Sequence, residues 1–547
     1  MKKKKSNFII QGSILAITSI LVRIIGIFYR IPLTNMIGTE GIGYYSSAYN
    51  IYSVLLLLSS YSLPLAVSKM VSARVSDGRY KNAYRVFQVA FIYAAVVGTL
   101  AMFITYFGAD FYTSVVLKKP MVSYALKVLA PTILVVALLG VFRGYFQGLG
   151  TMIPTALSQV IEQIINAVAS IVAAYLLYQE GFKSNLVYGG SEYPSALGAA
   201  GGTVGTFIGA LSALVFFLFV FSIYRKSLYK RMKKDKTAEQ EPLRMVSIDL
   251  LSTVLPIIIS SVIYNISSVI DDGVFSQCMV SLGSTTNEIS NLWGIFSGKY
   301  HLLTNVPIAI ASALASSMIP SLTSSIAQGD RGQAVEKVGM SIRFAMLIAI
   351  PSAVGLMVLA GPIMNLLFSG DNALAANMML YGASAVIFFS LSTITNAILQ
   401  GINHMMIPIK HAAISLFIHL AALVIMLLVF KMGIYSVVFA NIIFAASMCV
   451  LNARAISKYL EYRQEYRKTF LLPLLASGIM GILALGTYIL CFYLIKNNGI
   501  STLLSIIVSV LLYGALLLKL KCVDEVELYQ IPKGQSIIKL ARKIHLL

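Results

Sequence analysis

The chain reads as a succession of long, nearly charge-free runs separated by short stretches where lysine, arginine and acidic residues gather. The runs fall at 8–31, 43–68, 86–108, 121–147, 154–178, 196–224, 249–271, 292–323, 338–360, 374–400, 407–430, 433–453, 470–495 and 499–518. A helix needs about 20 predominantly apolar residues to cross a bilayer's hydrocarbon core, and every run satisfies that length. The pattern predicts fourteen transmembrane helices, an all-α polytopic membrane protein with no room for a soluble domain of ordinary size.

The positions of the basic residues orient these helices. If the Lys2–Lys5 cluster is cytoplasmic, an even number of spans returns the C-terminus to the same side. On that topology 32 Lys and Arg lie on the cytoplasmic side, five on the external side, and five within or at the edges of spans. Such a bias is the positive-inside signature. It accounts for most of the formal net charge of +21, which in a soluble chain would point towards nucleic acid, a partner not expected here. Lys2–Lys5 with the apolar run behind it resembles the start of a signal peptide. Arg23 and Arg30 interrupt that run and no small-residue cleavage motif follows, so the segment is expected to stay as the first helix.

Laying the halves of the chain side by side reveals a repeat. Gln147-Gly148 with Pro154 recurs as Gln400-Gly401 with Pro408, Leu63-Pro64-Leu65-Ala66 as Val306-Pro307-Ile308-Ala309, and Gly78-Arg79 as Gly329-Asp330. A shift by six helices leaves both copies crossing in the same sense, which makes the repeats parallel. The expected architecture is two six-helix lobes, 1–224 and 249–468, joined by a basic cytoplasmic linker at 225–248. Two additional helices and a cytoplasmic tail complete the chain at 469–547.

Composition agrees: 58% of the 547 residues are apolar and 12% are charged, with a mean hydropathy of +0.82, against about 25% charged in a soluble domain. Cys278, Cys449, Cys491 and Cys522 form no closely spaced pair, which argues against a disulfide framework or a zinc site. No phosphate-loop sequence and no His-Glu-x-x-His motif occurs, so neither ATP hydrolysis nor metal chemistry is expected. Asp271-Asp272 has no third carboxylate at helical spacing and reads as a cap at the outer end of the seventh helix.

The informative residues are the charges inside spans, because a charge at the bilayer centre costs roughly 2.5–3.5 kcal/mol on insertion scales and needs a wet surrounding or a partner. Arg23 is mid-span, and Arg30 follows at i+7, on nearly the same helical face about 10 Å further along. Two guanidiniums so placed suit a diphosphate, each donating in bidentate fashion to phosphate oxygens. Lys127, Arg143 and Lys299 are further substrate-binding candidates, Arg143 having Gly144 and Gly148 to leave room beside it. Glu162, the one acidic residue well inside a span, is a candidate for charge balance or ion coupling. His404, His411 and His419 lack an acidic partner nearby in sequence and read as packing or interfacial residues. Gly201, Gly205 and Gly209, spaced by four, predict close helix packing.

The stretch Arg23-Ile24-Ile25-Gly26-Ile27-Phe28-Tyr29-Arg30-Ile31-Pro32-Leu33, with Gly41-Ile42-Gly43-Tyr44-Tyr45 and Phe142-Arg143-Gly144-Tyr145-Phe146-Gln147-Gly148, resembles the stage V sporulation protein B and YtgP-type polysaccharide transporters. These belong to the multidrug, oligosaccharidyl-lipid and polysaccharide exporter superfamily, which includes the MurJ lipid II flippases. The resemblance runs over essentially the whole chain. It implies two lobes around a cationic cavity, helix 1 arginines (here Arg23 and Arg30) engaging a lipid-linked diphosphate sugar, and a groove for the polyprenyl tail on the last two helices. The implied activity is flipping of such a lipid, lipid II foremost, across the bacterial cytoplasmic membrane by alternating access. Membrane potential or an ion gradient would drive it with no cofactor, and cell-wall synthesis machinery would be a partner. The family's helix 2 arginine has no counterpart here, helix 8 offers only Lys299, and helix 11 has no Asp for a sodium site. Three alternatives stand beside this one: a flippase for another lipid-linked saccharide, a drug or cation antiporter of the same fold, and a membrane glycosyltransferase or polymerase.

Overall fold

The computed structural model describes residues 2–235 and 240–522. The chain is helical throughout this range, with no strand among the described residues. In order the helices are α1 (Lys2–Leu56), α2 (Leu63–Ser76), α3 (Tyr80–Phe111), α4 (Val122–Gly148), α5 (Ile153–Tyr188), α6 (Tyr193–Lys234), α7 (Leu243–Asn265), α8 (Ser267–Ser281) and α9 (Thr286–Gly294). After them come α10 (His301–Ala327), α11 (Arg331–Val358), α12 (Ala360–Leu367), α13 (Ala373–Gly382), α14 (Ala385–Gly401), α15 (Met406–Leu428), α16 (Tyr435–Leu460), α17 (Leu472–Ile495) and α18 (Asn498–Lys519). Four short π-helical turns interrupt the series, at Leu57–Tyr61, Tyr112–Val116, Ile295–Tyr300 and Arg467–Leu471.

All fourteen apolar runs are helical, but they do not map one to one onto helices. Among the described residues ten helices are long and apolar enough to cross a membrane, or eleven if α13 and α14, bent by 49° at their junction, form one span. The first two runs share α1, whose 55 residues would extend about 80 Å at 1.5 Å per residue, far beyond a hydrocarbon core of about 30 Å. The break is at Gly38, where φ is 73° and ψ 175°; only glycine adopts that φ without a steric cost. The runs expected at 249–271 and 292–323 are divided as well, the first at Ile266 between α7 and α8, the second by the π-turn between α9 and α10. The basic stretch from Arg225 to Lys234, expected as linker, is instead the last part of α6.

The described chain divides into two compact units, Met1–Gly298 and Lys299–Leu547. Close helix packing in the first rests on glycine. A Cβ on Gly201, Gly205 or Gly209 of α6 would come within 2.4 Å of Ala173 O, 2.1 Å of Ser170 Oγ and 2.7 Å of Glu162 O respectively, all on α5. Ser170 Oγ also donates to Gly202 O at 2.8 Å. The glycines of α4 do not leave room beside Arg143. Gly144 and Gly148 seat α2, a Cβ there lying 2.7 Å from Pro64 O and from Val71 Cβ. An aromatic cluster of Phe87, Phe142, Tyr145 and Phe221 fills the space between α3, α4 and α6. The second unit repeats the α2–α4 contact: Gly401 closes α14 with its Cβ position 3.0 Å from Leu322 of α10. α17 and α18 pair through Ser505 Oγ, which donates to Ala484 O at 2.6 Å. Their outer faces stay apolar and exposed, Ile482, Tyr493 and Leu511 among them.

Candidate functional site

Proximity along α1 sets Arg23 and Arg30 on one face of one helix. Arg23 is exposed. Arg30 is half-buried, its guanidinium 5.8 Å from the Tyr45 ring centre and 5.3 Å from that of Tyr49. Tyr45 and Tyr49 stack on each other with centroids 5.9 Å apart, and Tyr29 meets Tyr45 hydroxyl to hydroxyl at 3.3 Å. A guanidinium on aromatic faces gains cation–π attraction without losing its charge or its donors. Among the described residues no carboxylate lies within ion-pairing distance of either arginine.

The other candidate cations are tied up locally. Lys127 donates to Asp110 Oδ2 at 2.7 Å. Arg143 donates to Glu162 Oε2 at 2.6 Å and to Ser158 Oγ at 3.2 Å, so Glu162 balances an arginine across α4 and α5. Lys299 is buried and donates to Asn372 Oδ1 at 2.6 Å, with the Phe368 ring 5.7 Å away. Of the basic candidates, Arg23 and Arg30 have no carboxylate partner among the described residues, while Lys127 and Arg143 carry their own counter-charges.

Asp272 does not cap a helix end. It lies inside α8 and pairs with Lys119 at 2.6 Å, both side chains essentially inaccessible. Lys119 Nζ also approaches Ser47 Oγ at 3.3 Å and sits 5.3 Å from the Trp293 ring centre. Burial lowers the Lys119 pKa from its ordinary value, an effect Asp272 opposes. Beside this pair, Gln277 Nε2 donates to the carbonyls of Val115 and Val116 at 2.7 and 2.8 Å. α8 is thereby fixed to the turn that precedes α4. Glu40 forms a neighbouring polar group, accepting from Tyr44 and Ser195 at 2.9 Å each. Glu192, at the start of α6, has its carboxyl pKa raised by burial and by Glu40.

The histidines have packing roles. His404 stacks on Tyr459 at 4.0 Å, His411 pairs with Asn452 at 2.7 Å, and His419 is buried against Phe444. Among the described residues no group of three or more His, Cys, Asp or Glu side chains could hold a metal ion. The contact of Tyr45 and Tyr49 with Arg30 escaped the sequence reading because both tyrosines lie beyond the Gly38 break. Their spacing, Tyr45, Tyr49 and Tyr52 at i, i+4 and i+7, was the available signal.

Helices of membrane-spanning length and apolar composition, packed closely within each unit, define a multi-pass membrane protein. Residues 9–326 match the family described as polysaccharide biosynthesis protein, and the chain belongs to that family. It is similar to the lipid II flippase MurJ of Bacillus subtilis (strain 168), 25% identical over 76% of this chain and 75% of that protein. It is also similar to the stage V sporulation protein B of the same organism, 23% identical over 98% of this chain and the whole of that protein. Among solved structures, a lipid II flippase MurJ in an inward closed conformation superposes with a TM-score of 0.64 at 17% identity, covering 92% of this chain and 97% of that one. An inward-facing MATE family transporter of the MOP superfamily gives 0.63 at 16% identity, covering 81% and 95%. The two MurJ proteins are named as flippases and the MATE protein as a transporter, none of them as an enzyme. At such identities the structural likeness carries the fold alone.

Proposed function

We propose that this protein flips a polyprenyl-diphosphate-linked saccharide, lipid II foremost, across the bacterial cytoplasmic membrane by alternating access, with fourteen spans and both termini cytoplasmic. The observation that supports the reading is the pair of α1 arginines on one helical face, with no carboxylate beside them among the described residues. A drug or cation antiporter would want an uncompensated carboxylate there. The one mid-span acid near this region, Glu162, is spent on Arg143. No cofactor enters the reading, and the membrane potential or an ion gradient supplies the drive.

The test is to deplete the native lipid II flippase in a Gram-positive host, express this chain, and assay whether lipid II becomes accessible outside. Wild type should restore it. Arg23→Ala should insert normally and lose about tenfold to a hundredfold in flipping, the worth of one charge-assisted contact to a diphosphate. Arg23→Lys should recover only part of this, keeping the charge and losing the fork. Full complementation by Arg23→Ala overturns the binding mode, and failure of wild type to complement while another lipid-linked saccharide is flipped reassigns the cargo.

A further inference from the structure

In the second unit, where the chain enters α15 and leaves α16, a recess of about 400 Å³ is walled by Ile407, Lys410, His411, Arg454, Lys458 and Tyr459. Lys410, Arg454 and Lys458 are exposed, and no carboxylate lines the recess. The acid next along the chain, Glu461, lies 3.8 Å from Arg331. Uncompensated cations gathered in one concavity repel one another unless an anion is seated among them.

The back wall is built and rigid. His411 Nδ1 meets Asn452 Oδ1 at 2.7 Å. Asn452 is fully buried and donates through Nδ2 to Thr395 Oγ1 at 3.0 Å and Asn396 Oδ1 at 2.7 Å. With its amide nitrogen committed as donor, Asn452 presents an acceptor, so His411 Nδ1 carries the proton and donates to it, which fixes the ring against the wall. Tyr459 is held by the His404 ring on one side and lies 5.7 Å from Lys458 Nζ.

Apolar surface continues from the recess along both helices. One turn beyond Lys410 on α15 stands Ile414, and Phe417, 77% exposed, follows; one turn before Arg454 on α16 stands the exposed Val450. A cationic recess opening onto an exposed apolar ladder matches a ligand with a phosphate at one end and hydrocarbon at the other. The positive-inside orientation proposed above places Lys410, Arg454 and Lys458 at the level of the cytoplasmic leaflet's headgroups.

We propose that this recess binds the phosphate headgroup of an anionic glycerophospholipid from the cytoplasmic leaflet, with its acyl chains along Ile414, Phe417 and Val450. The site is separate from Arg23 and Arg30, and its ligand is a resident lipid rather than the transported one. Resting on the proposed orientation, it fails independently of the cargo assignment.

Native mass spectrometry of the full chain in detergent, titrated with phosphatidylglycerol, phosphatidylcholine or inorganic phosphate, reads the site. Wild type should take its first phosphatidylglycerol more tightly than phosphatidylcholine, and millimolar inorganic phosphate should not displace it. Lys410→Gln with Arg454→Gln should weaken that first binding about thirty-fold, at about a decade or less for each basic side chain near a headgroup. Arg454→Lys should retain it, and so should a control that neutralises Lys230 and Lys233 on α6. Arg23→Ala should keep this preference while losing flipping. Unchanged lipid preference in the double variant overturns the site, and displacement by inorganic phosphate with no advantage for the lipid overturns the choice of ligand.

Discussion

Arg23 and Lys119 show what the surroundings of a cation decide. Arg23 could be singled out from the sequence because a mid-span charge is costly wherever it sits, and Arg30 because i+7 is a fixed relation on a helix. Lys119 could not, since its partner Asp272 is 153 positions away and nothing local marks either residue as buried. Removing one member of a buried pair leaves a charge uncompensated and costs about 3–5 kcal/mol, whereas an apolar replacement of both is often neutral. Asp272→Asn should accordingly lower the thermal unfolding temperature of the detergent-solubilised protein sharply, and Lys119→Met with Asp272→Leu should recover most of the loss. Equal unfolding temperatures for Asp272→Asn and wild type would show that the pair is not the fastening it resembles. Glu192 supplies a pH signature. Its pKa is raised in the folded chain by burial and Glu40, so its contribution to stability is present below the ordinary carboxylate value, about 4.3, and is lost as pH rises through the raised value. Glu192→Gln should therefore be the more stable protein at pH 7, with the advantage shrinking on acidification, as a melting series from pH 4 to 7 would record.

Helices were legible where the chemistry is one-dimensional and illegible where it is not. Charge-free length identified every apolar run, and the Gly201, Gly205 and Gly209 spacing identified a packing face, because both depend on residues within one segment. The breaks at Gly38 and Ile266 and the π-turn at Ile295–Tyr300 depend on what the neighbouring helices demand. The role of Gly144 and Gly148 likewise became visible only with α2 lying in the groove they open. The packing argument makes α6 the sensitive element. A side chain at Gly205 would meet the backbone and Oγ of Ser170 at 2.1–2.6 Å, a clash that only separation of α5 from α6 relieves. Gly205→Val should cut the yield of folded, monodisperse protein several-fold, overpacking of this kind costing about 1–3 kcal/mol or more. Gly486→Val on α17, where a Cβ meets nothing within 4 Å, should leave that yield unchanged in size-exclusion chromatography.

At the scale of the molecule the sequence predicts an internal repeat as a shift of six helices, and the Gly148–Val71 contact has a counterpart in Gly401–Leu322, the kind of packing such a repeat calls for. Orientation rests on the distribution of lysine and arginine. A cysteine in place of Lys183 should react with an impermeant reagent added outside cells, and one in place of Lys234 should not; the reverse would invert the proposed transport direction. Lys234 ends a helix of 42 residues, about 63 Å at 1.5 Å per residue, twice the hydrocarbon thickness. Its far end is seated on α3, where Leu228 is buried, Arg231 lies 5.8 Å from the Tyr80 ring and the backbone N–H of Lys81 donates to Asp235. Proteases accept their substrates as extended strands, so the six basic residues from Arg225 to Lys234, dense in trypsin sites on paper, are withheld from cleavage for as long as α6 remains wound.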